Sequence, residues 1–168
     1  MNVTLRPCRA TDLESVHDLI HATIDASYTD VYPPRAVRFF QDYHTPQRIL
    51  KRQAQGHTVV AELDSRLVAT GAIVGNHIMA VFVDPHCQRH GVGAQVMDAL
   101  EDMARAAGQP RVHLDVSLPS LGFYSSRGYS HMQSCSIDVG EGQRLDYWTA
   151  EKSLEGGEFE QAFRADSQ

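Results

Sequence analysis

From His77 to Gly108 the chain reads as a strand, a glycine turn and a helix in direct succession, an order that leaves few folds open. His77 to Asp84 is an apolar run of strand length, and Pro85 to Gly93 is a turn carrying Gln88-Arg89-His90-Gly91-Val92-Gly93-Ala94. An amphipathic helix is predicted over Ala94 to Ala107. Val92, Val96, Leu100, Met103 and Ala107 recur at helical spacing, Gly108 supplies a left-handed cap and Pro110 forbids continuation. A helix opening on a glycine turn leaves its first N–H groups unpaired and adds the positive end of its dipole, so the turn suits a phosphate. Two nucleotide motifs are excluded. The dinucleotide pattern needs a glycine where Val96 stands, and the triphosphate loop needs a Gly-Lys-Ser/Thr that does not follow. On its own the turn is equally well read as a tight strand-to-helix connection.

The flanking chain sets this unit in an α/β domain with a mixed, mostly antiparallel central sheet and helices on both faces. Val3 to Arg6 alternates as a short strand closed by Pro7. Thr11 and Glu14 read as the capping box of a helix whose stripe is Leu13, Val16, Leu19, Ile20 and Ile24. Asp25 to Pro34 reads as a polar loop holding Tyr28 and Tyr32. Pro34 starts a helix with Val37, Phe40 and Tyr43 on one face, and Thr45-Pro46 starts another that ends at Gly56. His57–Glu62 and Leu67–Val74 form a hairpin, and a turn at Gly75-Asn76 leads into the strand at His77, giving three antiparallel neighbours. Arg111 to Val116 is a strand made parallel to the His77 strand by the helical crossover. Ser120 to Arg127 is a short helix, and Tyr129–Asp138 and Leu145–Ser153 are strands around Gly140-Glu141-Gly142. One domain over residues 1–154 is expected, with a polar tail over 155–168 in which Phe159, Ala162 and Phe163 could form one helix turn.

Charge narrows the partners. A net −6 over 168 residues argues against nucleic acid or an anionic membrane as the partner, so a polyanion site must be local. Three widely spaced cysteines, Cys8, Cys87 and Cys135, are no disulfide framework, and no apolar run approaches the length of a membrane span. Cytoplasmic localisation is the expectation. Cys87 has no paired base for a thiol nucleophile, and His86-Cys87-x-x-His90 cannot supply four ligands, so no metal is expected.

Two spaced motifs carry a family resemblance. Phe82-Val83-Asp84-Pro85 precedes Gln88 to Ala94, and after the next strand come Ser117, Ser120, Phe123-Tyr124, Arg127 and Gly128-Tyr129. Together these resemble the GNAT superfamily of N-acetyltransferases, from the first strand to about Leu154. The resemblance implies an acyltransferase (EC 2.3.1.-) taking acetyl from acetyl-CoA directly to an amine, with no metal. Its pyrophosphate would lie on the amides of Gln88, Arg89, His90, Gly91, Val92, Gly93 and Ala94, and its pantetheine arm beside Val81, Phe82 and Val83. A backbone N–H near Phe82 or Val83 would polarise the thioester carbonyl. Tyr124 would protonate the leaving thiolate, and Ser117, where many relatives carry Asn, would make a weaker pantetheine contact.

The acceptor side is open in the sequence. Relatives often place a carboxylate base on the strand before the turn, and His77 to Val83 has none. His113, Asp115 and Ser117 share one strand face, so Asp115 or His113 acting through water are candidates for the base, with Glu62 weaker and His77 read as a solvated strand end. The acceptor pocket of the family corresponds to Tyr28, Tyr32, Pro33, Phe39 and Phe40, with Tyr147 and Trp148 as further contributors. The acceptor is an amine on a small molecule or a protein, and other acyl donors such as succinyl- or propionyl-CoA stay open. The C-terminal strand of relatives is often a pairing site, which makes a homodimer an expectation. The competing reading is a non-catalytic acyl-CoA-binding sensor or complex subunit.

Overall fold

A computed structural model describes residues 1–155. The elements are β1 (Thr4–Pro7), α1 (Leu13–Ser27), α2 (Pro34–Tyr43), α3 (Pro46–Gln55), β2 (His57–Leu63), β3 (Arg66–Val74), β4 (His77–Val83), α4 (Val92–Ala106), β5 (Arg111–Ser117), α5 (Leu121–Ser126), β6 (Ser130–Gly140) and β7 (Gln143–Ser153). The tail beyond Glu155, and the helix turn expected there, lie outside the described residues. No helix among the described residues is long and apolar enough to cross a membrane.

The seven strands lie in the order β1-β2-β3-β4-β5-β7-β6, every pair antiparallel except β4 with β5. Helices cover both faces, as the sequence predicts. On one face α4 lays Val92, Val96, Met97, Leu100 and Ala104 over the sheet with Val112, Leu114 and Val116 of β5. On the other, Val16, Ile20 and Ile24 of α1 and Val37 of α2 pack with Ile49 of α3 and Val60. Burying one such side chain contributes roughly 1.5–3 kcal/mol, so these two layers supply the main driving force.

Four local readings change. The helix after the turn begins at Val92 rather than Ala94, because Gly91 takes φ +79° and acts as its N-cap; Ala107 falls outside the helix and is exposed. Thr11 does not cap α1. It lies exposed in a 3-10 turn, and the Asp12 carboxylate instead accepts from Arg9 N–H at 2.7 Å while Arg6 clasps it at 2.7 and 3.0 Å. A carboxylate with a guanidinium partner is the stronger acceptor and takes the position. α1 runs on to Ser27 through part of the expected loop, and Tyr28 and Tyr32 beyond it are buried. The segment after β5 opens with a 3-10 turn (Leu118–Ser120), so α5 itself is only six residues.

β4 is irregular in two places. Gly71 on β3 stands opposite both Ala80 and Val81, a β-bulge in which Ala80 takes φ +54°. Beyond the single pair His77↔His113, β4 and β5 share no ladder, so the sheet splays open there.

Candidate active site

The splay opens into a cleft of about 220 Å³ between β4 and β5. Its floor is Ile78 to Phe82 of β4 with Leu114 to Ser117 of β5, and its walls are Tyr28, Phe39, Phe40, Tyr43, His44, Ser120, Tyr124 and Tyr147. With no strand partner on that side, the β4 edge over Met79–Phe82 offers free backbone N–H and C=O groups to a ligand. The bulge breaks the regular alternation at the same place, two residues before the Phe82–Val83 step to which the sequence pointed.

The glycine turn runs from the end of β4 to the start of α4. Arg89 (φ +62°) and Gly91 (φ +79°) are both left-handed, an alternation that turns successive N–H groups to a common side. Gln88, Arg89, His90 and Gly91 are exposed around the open end of α4, while the Val92 side chain is buried beneath it. The Gln88 amide holds the turn to β4 by donating to Val83 O at 3.0 Å. Phe123, itself exposed, packs its ring over Gly93, where a Cβ would come within 3.3 Å of it. The two motifs that were separate in sequence thus meet in space.

Tyr124 stands on α5 with its ring edge-on to Phe123 (5.0 Å) and Tyr129 (5.6 Å). Burial, with the nearby Tyr28, raises its hydroxyl well above the ordinary tyrosine range, so it is a neutral donor at neutral pH. No hydrogen-bond partner among the described residues takes that proton. Ser117 is less free. Its Oγ accepts from the Tyr28 hydroxyl at 3.2 Å and shares 2.8 Å with Ser120 Oγ.

The base candidates separate. His77 and Asp115 line the cleft with Nε2 and Oδ2 3.9 Å apart; His113 stacks on His77 at 4.5 Å and does not line it. Glu62 is held by Arg6 at 2.8 Å on the β1–β2 side and does not line the cleft. Among the aromatics, Tyr28, Phe39, Phe40 and Tyr147 line the cleft. Tyr32 instead bridges Asp146 O (2.8 Å) and Leu118 N (2.9 Å), and Trp148 packs into the opposite layer. Cys87 is 2% exposed in the apolar core, and no three metal-ligating side chains converge among the described residues.

His44 belongs to no motif, and the sequence does not single it out. It follows α2 directly, lines the cleft and is 4% exposed. Position in a loop before Thr45-Pro46 is its only sequence signal, and that signal is weak.

A family model described as an acetyltransferase (GNAT) domain matches residues 28–140. The chain belongs to the GNAT acetyltransferases. It is therefore an acyltransferase (EC 2.3.1.-). Solved structures of GNAT members share the architecture. A GCN5-related N-acetyltransferase (aminotransferase, class II) from Rhodopseudomonas palustris superposes with a TM-score of 0.83 at 26% identity, over 92% of this chain and 97% of that one. The PaiA N-acetyltransferase of Thermoplasma acidophilum, solved with coenzyme A, gives 0.72 at 17% identity, covering 92% and 100%. The ribosomal-protein-S18-alanine N-acetyltransferase of Escherichia coli gives 0.68 at 16%, covering 94% and 98%. The last two speak to the fold alone.

Proposed function

We propose that the protein transfers acetyl from acetyl-CoA directly to an amine held in the β4–β5 cleft. The observation that carries this is the position of Tyr124, a buried neutral phenol facing the same cleft as the unpaired edge of β4. PaiA with bound coenzyme A is similar in fold, which supports the donor assignment. The pyrophosphate would lie on the amides of residues 88–94, where the exposed N-terminus of α4 and the left-handed Arg89 and Gly91 fit an anion. The thioester arm would lie along Val81 to Val83, its carbonyl polarised by a backbone N–H at or just after the bulge.

In this reading the amine lone pair attacks the thioester carbonyl carbon, a C–N bond forms and the C–S bond breaks. The sulfur leaves with the bonding pair and takes the Tyr124 proton. The same burial that raises Tyr124 raises the proton affinity of the thiolate beside it. The proton lost by the amine goes to His77, directly or through water shared with Asp115. Ser117 orients Tyr28 and the cleft wall.

The test is CoA-thiol release over a panel of amines. Tyr124→Phe is expected to lower kcat by about 10²-fold or more, the usual weight of a general acid, with KM for acetyl-CoA little changed. CoA binding without thiol release for any amine, unaffected by Tyr124→Phe, would instead make this a non-catalytic acyl-CoA-binding protein.

A further inference from the structure

Among the residues lining the cleft is a histidine wired as a donor rather than a base. His44 Nδ1 lies 3.2 Å from Nη2 of Arg52, and a guanidinium has only protons to give, so Nδ1 accepts and the ring proton is on Nε2. The His44 backbone carbonyl is gripped by His21 Nε2 at 3.0 Å, and its ring stands edge-on to Phe82 at 5.1 Å, which fixes its direction. The Thr58 hydroxyl and Arg127 Nε are sealed off without partners, but His44 Nε2 is not sealed, and no described residue bonds it. His44 lines the cleft, so a partner for Nε2–H can come from the acceptor space. Burial and the guanidinium push His44 down to about 3, which keeps it neutral across the working range.

Arg52 adds a second observation. It is 7% exposed, and no carboxylate among the described residues lies within ion-pair distance of it. A buried cation without a counter-ion is costly unless an anion completes it. Its charge stands directly behind the free N–H.

We propose that His44 is a specificity residue reading a carboxylate on the acceptor, and that Arg52 is the positioning residue that fixes its tautomer and supplies the charge. The inference rests on the cleft accepting an amine and narrows that amine to one carrying a carboxylate, an amino acid. The walls around His44, Phe39, Phe40, Tyr43 and Phe82, favour an apolar side chain. Although the molecule carries −6 overall, the surroundings of His44 are cationic, with Arg52, Arg48 and His21 all acting on its ring.

The experiment is calorimetric titration of CoA-saturated protein with L-phenylalanine, L-phenylalaninamide and phenethylamine, and with the matching leucine set. These probes differ only at the group His44 would read. The amino acid is expected to bind about 10–100-fold more tightly than the decarboxylated amine, the range of one hydrogen bond to a charged group. His44→Phe is expected to erase the ratio. Arg52→Met should erase it as well, while Arg52→Lys, which can still donate to Nδ1, should restore most of it, a rescue that a purely structural role would not give. Equal affinity for amino acid and amine in the wild-type protein, or no binding of the amino acid, overturns the inference. An amide that binds as well as the acid also overturns it, pointing to a neutral carbonyl instead. Because the readout is binding, it fails independently of acetyl transfer: selective binding without thiol release keeps this inference and removes the transfer reading.

Discussion

At position 77 an imidazole sits half-buried between the His113 ring and the Asp115 carboxylate. Burial, reinforced by His113 and opposed by Asp115, holds it below the ordinary histidine range. A base must be unprotonated to act, and a lowered pKa leaves His77 neutral at pH 7. With His77 as the proposed base, the rate is expected to stand on its plateau there and to fall only as pH drops below the usual histidine value of ~6.5. His77→Gln is expected to abolish that acidic limb of kcat/KM and to lower the plateau by about 10²-fold, measured by thiol release between pH 5 and 10. Tyr124 adds no alkaline limb below about pH 10, because its hydroxyl is raised, not lowered. The sequence shows these residues but not their settings. Tyr124 was legible because its motif fixes its place on a short helix. His77 reads as solvated and His44 as nothing, because what sets each is a neighbour distant in sequence.

At the scale of elements, the site depends on how α4, β3 and β4 meet. Gly71 lies under α4: a Cβ there would stand 2.6 Å from Val96 Cγ1 and 2.9 Å from Leu100 Cδ1. The same glycine faces the Ala80–Val81 bulge. Gly71→Ala is therefore expected to push α4 off the sheet, destabilising by about 1–3 kcal/mol, the range of core overpacking, as read by urea denaturation. It should also weaken acetyl-CoA binding, since the helix after the glycine turn, on which the proposed pyrophosphate site lies, moves with it. The strand, turn and helix were all legible here from hydrophobic period and glycine spacing. The bulge was not, since nothing in His-Ile-Met-Ala-Val-Phe-Val marks where a ladder slips.

For the whole molecule, one buried carboxylate ties distant parts together. Glu101 of α4 is 2% exposed and receives Lys152 of β7 at 2.9 Å, the Tyr129 hydroxyl at 3.1 Å and Arg127, just past α5, at 3.2 Å. This network anchors α5, and with it Tyr124, to the helix that follows the glycine turn. Glu101→Gln is expected to cost about 3 kcal/mol in chemical denaturation, the low end for breaking a buried pair, since Arg127 and Lys152 keep partial contact with solvent. Glu101 lies on the buried face of a helix whose sequence stripe reads as wholly apolar, so its place could not be taken from periodicity.

The sequence by itself determined the element order, both helix-covered faces of the sheet and the two family motifs, because backbone propensity, hydrophobic period and turn chemistry are local and are written within a few residues. Even the parallel strand pair was legible, since a helical crossover of that length dictates it. Only the tertiary structure decided how far β4 and β5 splay, which candidate bases reach the cleft, and that a buried Arg52 turns His44 into a donor. Those outcomes depend on burial and on partners many residues apart, and a side chain's protonation and direction are set by what surrounds it rather than by its place in the chain.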